Sequence, residues 1–330
     1  MASIKDVAKA AGVSITTVSR ALNNYSDVSP VTKERILGVC AELKYTPNSS
    51  ARNLALKQSK VIALLFSDVK ETDMNGNIIF RLLKGAQSCC DKMGYELMVL
   101  FTNMEKQKHK SLKMLCKEKN VGGIVLYGLK STDEYYRELD TMDIPCVGID
   151  VDKTPVTVAT NNDQAIEEIV RLFYKKGKRN IGMINGSFDS DISRVRETAF
   201  IRAMRAVGLE LPQKSVRYAD FFEERAYEET KILVQERKGL DAILAASDLM
   251  AIGVIRALKD MGKKIPQDIA VSGIDGVQVG AYIKPTLTTV CQDFKAMGYK
   301  ATELAIKMQN GETVNYIEYV PHHLIERQSV

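Results

Sequence analysis

Tryptophan is absent from this 330-residue chain, and histidine occurs only as His109, His322 and His323. His322 and His323 have no cysteine or carboxylate beside them at ligand spacing, so neither a metal nor another cofactor is expected. None of the six cysteines belongs to a CxxC pair, and most lie among apolar residues, which reads as reduced thiols in a core. The first apolar run continues as VIALLFSDVKETDMNG, without a GxGxxG or GxxxxGKS phosphate loop. No GxSxG nucleophile elbow or recognisable catalytic cysteine signature is present, so nothing supports an enzyme. The chain begins MASIKDVA, with no apolar signal core, and no stretch approaches a membrane span. A cytoplasmic protein is expected, in which Asn48-Ser49-Ser50 is only a formal glycosylation acceptor.

What is present is ordinary in bulk and uneven in placement. Hydrophobic content of 45% with 26% charged residues suits a soluble globular chain, and the length calls for two or three compact units. Residues 1–60 hold nine Lys and Arg against four Asp and Glu, while the remaining residues hold 37 of each. The whole net charge of +5 therefore sits at one end, as expected if only that end meets phosphate.

That end reads SIKDVAKAAGVSITTVSRALN over residues 3–23. Ser3 can cap a first helix, with Asp6 favouring its N-terminal end, and Val7, Ala8 and Ala11 form one apolar face. Gly12 supplies a left-handed stop, and Ser14 caps a second helix whose Val18 and Leu22 point inward. Thr16, Thr17, Ser19, Arg20 and Asn23 then face outward, a set of groups suited to phosphate oxygens and to guanine O6 and N7. The spacing predicts a helix-turn-helix whose second helix enters a major groove, with Ile15, Thr16 and Arg20 at the base-reading positions. An ordinary surface helix pair would also satisfy the spacing alone.

Beyond spacing, DVAKAAGVSITTVSRALN followed by VSPVTKERI and YTPNSSARNL closely resembles the lactose-repressor (LacI/GalR) family of bacterial transcription regulators. The resemblance continues in SDLMAIGVIRALKDMG, IPQDIAVSGID and PTLTTVCQD, and so covers essentially the whole chain.

After a polar loop, Ser29 and Pro30 start a third helix with Val31, Ile36, Val39 and Leu43 expected inward, closing a headpiece over 1–47. Residues 48–60, NSSARNLALKQSK, form a linker able to make a marginal helix of about two turns. The resemblance implies a hinge helix here that pairs with its dimer mate in the minor groove. Asn48, Ala51 and Arg52 lie on that segment, and Leu54 matches the leucine levered between base steps. A flexible tether is the plainer reading.

From Val61 the runs VIALLF, YELMVLF, GGIVLY and PCVGI read as strands buried on both faces, with helices near 78–93, 106–119 and 132–142. A second set, NIGMI, 215–218, AILAA and IAVSGI, alternates with helices near 161–176, 194–207, 223–237 and 248–262. The expected class is α/β, an all-α headpiece followed by two doubly wound lobes, each with a parallel sheet. The resemblance implies a periplasmic-binding-protein-like core over 61–330. Its N-lobe would span about 61–159 plus 291–319, and its C-lobe about 160–290 plus 320–330.

Matching the family's motifs, Arg196 in SRVRETAF and Asp275 after VSGI would grip ligand hydroxyls, and Asp150 matches a further contact in the lactose repressor. Phe221 in YADFFEE matches an aromatic that stacks on a sugar ring, and Ser247 in AASDLM joins the site. Asp248 would cap the following helix or support the site from behind. Inter-lobe salt bridges would account for the same charges.

Relatives often carry NPFF where this chain has Asn77-Ile78-Ile79-Phe80, and RxxGF reads here with Ala199 before Phe200. These departures leave the ligand open between a sugar or sugar derivative, a nucleobase, a sugar phosphate and a protein corepressor. The expectation is a repressor of double-stranded operator DNA, controlled by a small effector. A homodimer is expected because the chain lacks the extra leucine heptads of a tetramer. A solute-binding protein for transport is the rival, but it would need a signal peptide and no headpiece.

Overall fold

The computed structural model describes residues 2–22, 25, 27–45, 59–68 and 78–330. Asn23 of the groove face, and Asn48, Ala51, Arg52 and Leu54 of the linker, lie outside the described residues. The chain divides into two compact units, residues 1–59 and 60–330.

The first unit contains helices α1 (Ile4–Ala11), α2 (Ile15–Leu22) and α3 (Pro30–Glu42). Ser3 and Asp6 form a reciprocal capping box, and Gly12 ends α1 at φ 64°, a conformation in which a Cβ would be strained. Ser14 caps α2, its hydroxyl accepting from the Thr17 amide at 3.0 Å. Ser29 does the same for α3 through Thr32, with Pro30 at the first helical position. Val7, Ala8, Ala11, Val18, Ala21, Ile36 and Cys40 form the small core, with Leu22 and Val39 packed against it. Two expectations for α3 fail. Val31 is 78% exposed and Leu43 is also exposed, because the inner stripe runs through Ile36 and Cys40.

The second unit holds two six-stranded sheets. In the N-lobe, β1 (Val61–Ser67), β2 (Glu96–Thr102), β3 (Gly123–Tyr127), β4 (Cys146–Ile149), β5 (Val156–Thr160) and β11 (Ile317–Val320) take the order β11-β5-β4-β3-β1-β2, all parallel. The alternation of β1 explains its unbroken hydrophobicity. Ile62, Leu64 and Phe66 enter one core, while Ala63 and Leu65 enter the core on the opposite face. Helices α4 (Ile78–Met93) and α12 (Phe294–Gln309) cover the first face. Helices α5 (Met104–His109), α6 (Leu112–Glu118) and α7 (Glu134–Glu138) lie among the connections, with α6 and α7 covering the second. Gly85 of α4 and Gly298 of α12 let their helices meet backbone to backbone. A Cβ at Gly85 would lie 1.9 Å from the Lys295 carbonyl, and one at Gly298 would lie 2.2 Å from that of Leu82.

In the C-lobe, β6 (Ile181–Asn185), β7 (Val216–Tyr218), β8 (Ala242–Ala245), β9 (Ala270–Asp275), β10 (Thr288–Gln292) and β12 (His322–Ile325) take the order β12-β10-β9-β8-β6-β7. Its helices are α8 (Asn162–Lys175), α9 (Asp191–Ala206), α10 (Glu223–Glu236) and α11 (Asp248–Asp260).

Some local expectations are corrected. The stretch 106–119 is two helices, because Lys110 is extended and Ser111 caps a new start at Leu112. The stretch 132–142 shortens to α7 followed by one 3-10 turn. Strand β2 is a sheet edge with Val99 and Phe101 exposed, not a doubly buried strand. Strand β12 runs antiparallel to β10, so the second sheet is parallel except at that edge.

Candidate functional site

The C-terminal ends of parallel strands from both lobes converge on one cavity of ≈ 170 Å³. Ser67 ends β1, Tyr127 ends β3, Asp150 follows β4, Ser247 follows β8, Asp275 ends β9 and Gln292 ends β10. Doubly wound sheets bind ligands at such ends, because the chain there leaves the sheet and frees side chains and backbone groups. Asp150, Arg196, Phe221, Ser247 and Asp275 all line this cavity.

Arg196, 3% exposed, projects from α9, with Nε donating to Asn162 Oδ1 at 3.0 Å and a terminal nitrogen to the Ala246 carbonyl at 2.5 Å. Both anchors belong to the C-lobe, so the expected alternative of an inter-lobe salt bridge is not how this guanidinium is held. Asp275 Oδ1 accepts from Gln292 Nε2 at 2.9 Å, and Oδ2 from the Asp248 amide at 3.4 Å. Behind it Asp248 is wholly buried. It accepts from the Thr289 hydroxyl at 2.6 Å and the Val277 amide at 2.8 Å. Asp248 therefore supports the site, while the cap of α11 is Ser247, whose hydroxyl accepts from the Met250 amide at 3.2 Å.

Burial pushes the carboxyl of Asp275 upward, and the neighbouring Asp248 adds to this, while Arg196 opposes it. Burial likewise raises Asp150 to about 6, with Arg196 opposing and Asp275 and Asp152 reinforcing. The buried Asp150 Oδ1 has no hydrogen-bond partner within the protein.

Strained backbone concentrates here. Asp68, Asp150, Asp220, Phe221 and Asp275 all line the cavity and all have positive φ, at 52°, 56°, 51°, 61° and 132°. Each such conformation costs about 1–3 kcal/mol, a cost tolerated where geometry serves binding. The Phe221 ring rests on Gly186, where a Cβ would lie 2.1 Å from it.

Sequence reasoning missed several members. Lys130 pairs with Asp68 at 3.0 Å in the cavity lining, and Tyr127, Ser187, Ser190 and Phe294 complete much of the rest. In the NIIF segment, Ile78 and Ile79 line the cavity, whereas Phe80 is 55% exposed and outside the lining. The rim is bridged by direct bonds between lobes. Tyr136 donates to both oxygens of Asp191, at 2.9 and 3.1 Å, and the Asp152 amide donates to the same carboxylate at 3.0 Å. Ser131 and Thr132 bond Asp189, the first through its amide to the carbonyl and the second to the carboxylate. Nothing in the sequence marked Asp191, because its partners on the other lobe lie 39 and 55 positions away.

In the headpiece, Ser14, Ile15, Thr16 and Arg20 are exposed, while Thr17 and Ser19 are half-buried. Arg20 forms an ion pair with Asp27 and lies over the Tyr25 ring at 5.2 Å. Among the described residues no group of three or more His, Cys, Asp or Glu is arranged to hold a metal. His322 packs near Glu168. Five of the six free cysteines are buried and Cys291 is half-buried. No helix among the described residues is long and apolar enough to cross a membrane.

Comparison with known proteins joins the two ends. Residues 3–48 match bacterial regulatory proteins of the lacI family, and residues 170–330 match the periplasmic binding protein-like domain. The ribose operon repressor of Halalkalibacterium halodurans is 31% identical over 335 residues, covering 100% of this chain and 97% of that protein. Catabolite control protein A of Priestia megaterium is 29% identical over 334 residues, covering 99% and 98%. Among solved structures, the lac repressor dimer bound to operator and the anti-inducer ONPF superposes with TM-score 0.84 at 26% identity, covering 99% and 98%. The complex of the transcriptional regulator CelR with cellobiose gives 0.76 at 26%, covering 100% of both chains. With a relative above 30% identity spanning its whole length, a matching headpiece and the same two-lobed core, this chain belongs to the lacI family of DNA-binding bacterial transcription regulators.

Proposed function

We propose that the chain represses transcription as a homodimer on a pseudo-palindromic operator, and that a small metabolite in the inter-lobe cavity sets its operator affinity. The observation that carries this reading is the joint lining of one cavity by both lobes, with Arg196, Asp150 and Asp275 all among the lining residues, in a chain that also carries a helix-turn-helix. A ligand touching both lobes stabilises one inter-lobe arrangement over others. Only such a differential interaction can shift an equilibrium. Arg196 donates to ligand hydroxyls, Asp150 and Asp275 accept from them, Phe221 offers a ring face, and Ser247 adds a hydroxyl.

On the DNA side, Ser14, Thr17, Ser19 and Asn23 position α2 on phosphates, while Ile15, Thr16 and Arg20 meet base edges. Arg20 must exchange its Asp27 and Tyr25 contacts for guanine. The linker 48–60 acts as the hinge, with Leu54 wedged into the minor groove, Ala51 close to its dimer mate, and Asn48 and Arg52 flanking. The related lac repressor dimer on its operator supports this assembly.

The test is operator selection from random duplexes, followed by anisotropy titration with a panel of sugars and related metabolites. The reading predicts a short symmetric site, whose affinity changes severalfold with at least one member. Affinity independent of every metabolite would remove the effector role and leave a constitutive DNA binder.

A further inference from the structure

The cavity's charge and size narrow its ligand further than the family does. Four carboxylates line it, those of Asp68, Asp150, Asp220 and Asp275, against two cations, Lys130 and Arg196. Lys130 is already paired with Asp68, and Asp220 with Arg225. Arg196 remains, and it lines the cavity together with both Asp150 and Asp275. One guanidinium against the Asp150 and Asp275 carboxylates, with buried Asp248 behind Asp275, is no anion site.

Helix N-termini are the usual alternative source of positive potential, and three reach this cavity through Ser190 and Ile192, Phe222, and Ser247 and Leu249. Each carries its own acid in the first turn: Asp191 in α9, Glu223 in α10 and Asp248 in α11. At α11 the first-turn amide of Asp248 already donates to the Asp275 carboxylate, where a phosphate would sit, while Asp191 and Glu223 are themselves paired with Arg194 and Arg256. Acceptors are instead in excess, since Asp150 Oδ1 is buried without a partner. That calls for a ligand rich in O–H donors. Size adds a limit: a cavity of roughly 150 Å³ accommodates one benzene-sized ring, and this one is ≈ 170 Å³ with its rim bridged.

We infer that the cavity takes an uncharged, hydroxyl-rich ligand of one ring, a free monosaccharide or cyclitol, and rejects phosphorylated and carboxylated forms of the same ring. The inference rests on the effector reading of the cavity and adds its selectivity. Hydroxyls donate to Asp150 and Asp275 and accept from Arg196, while the ring lies on Phe221. A phosphate monoester would bring roughly −1.5 to −2 charges against those carboxylates.

The experiment is calorimetric titration of the full chain with matched probes. These are free hexoses, pentoses and inositol, their monophosphates, the corresponding uronic acids, and two-ring disaccharides. At least one neutral single-ring probe should bind, and its phosphate about 100-fold or more weaker. Asp150→Asn and Asp275→Asn should each narrow that ratio, even where they weaken both partners. A general loss of fold would not change the ratio. A phosphate or uronate binding more tightly than its neutral parent overturns the selectivity and leaves the effector reading standing. Preferred disaccharides overturn the size limit. Tight neutral binding with no influence on operator affinity supports the selectivity and removes the effector role. No binding by any probe overturns the inference.

Discussion

Replacing Asp191 with alanine should loosen the closed rim without unfolding either lobe. Its carboxylate accepts from Tyr136 and from the Asp152 amide, both on the opposite lobe, and from Arg194 at 2.9 Å on its own helix. Burial, and then the bond to Asp191, push the Tyr136 hydroxyl above its ordinary value, so it remains a donor at neutral pH. A hydrogen bond to a charged group contributes about 1.5–3 kcal/mol. The two inter-lobe bonds are partly buried and return to water on opening, so the low end applies and the pair is worth about 2–4 kcal/mol. Arg194 is 64% exposed, and its pairing adds at most about 1 kcal/mol. The closed-to-open ratio should then fall between roughly 30-fold and several hundredfold. Small-angle scattering, or energy transfer between dyes on the two lobes, reads this directly. Tyr136→Phe should give a smaller part of the same shift, and Arg194→Ala at most about 1 kcal/mol, since its exposed guanidinium also reaches Asp152 across the lobes at 3.4 Å. An unchanged scattering profile for a folded Asp191→Ala protein would refute the argument that this carboxylate holds the lobes together.

Four other outcomes follow from the same geometry. Arg20→Ala should cost about 1–3 kcal/mol in operator binding and relax base choice at one position, read by gel-shift titration against single-base operator variants. Gly85→Ala or Gly298→Ala should destabilise the N-lobe by about 1–3 kcal/mol in urea unfolding, since the added methyl meets backbone carbonyls that cannot swing aside. Gly186→Ala should leave melting nearly unchanged while displacing Phe221 and weakening the effector, measured by calorimetry. Asp150→Asn carries a pH signature. The native Asp150 titrates at about 6 against an ordinary 3.8, so the folded protein holds the extra proton between those values and its stability falls as pH rises through that window. The burden is fully present above about pH 6 and relieved below about pH 4. Asp150→Asn should therefore be more stable than the parent at pH 7.5 by up to about 3 kcal/mol, with the difference vanishing near pH 4. A constant difference across that range would contradict the buried-carboxylate account.

Short-range chemistry made much of the fold readable. Gly12 between two capped helices marked the turn, and the paired sets of apolar runs marked two sheets. Where reading went astray, tertiary context decided. Val31 looked like a core residue until α3 turned its stripe to Ile36 and Cys40. The run YELMVLF is as apolar as VIALLF, yet it lies at an edge, since strand order is not written in any one strand. Helix α12 was not read, although Phe294, Met297, Ala301 and Leu304 recur at helical spacing. The five residues drawn from the family's motifs do meet in one cavity. Lys130, Gln292 and the Asp191 rim stayed hidden because each acts through partners remote in sequence.

The central claim is that cavity and operator are energetically coupled. The most direct measurement titrates the effector into the protein free and operator-bound, and titrates operator into the protein with and without saturating effector. Coupling between sites is reciprocal. The two affinity ratios must therefore agree, at a factor of about 5–150, and Arg196→Ala must return both to one. Effector affinity identical in the free and operator-bound protein would contradict the account.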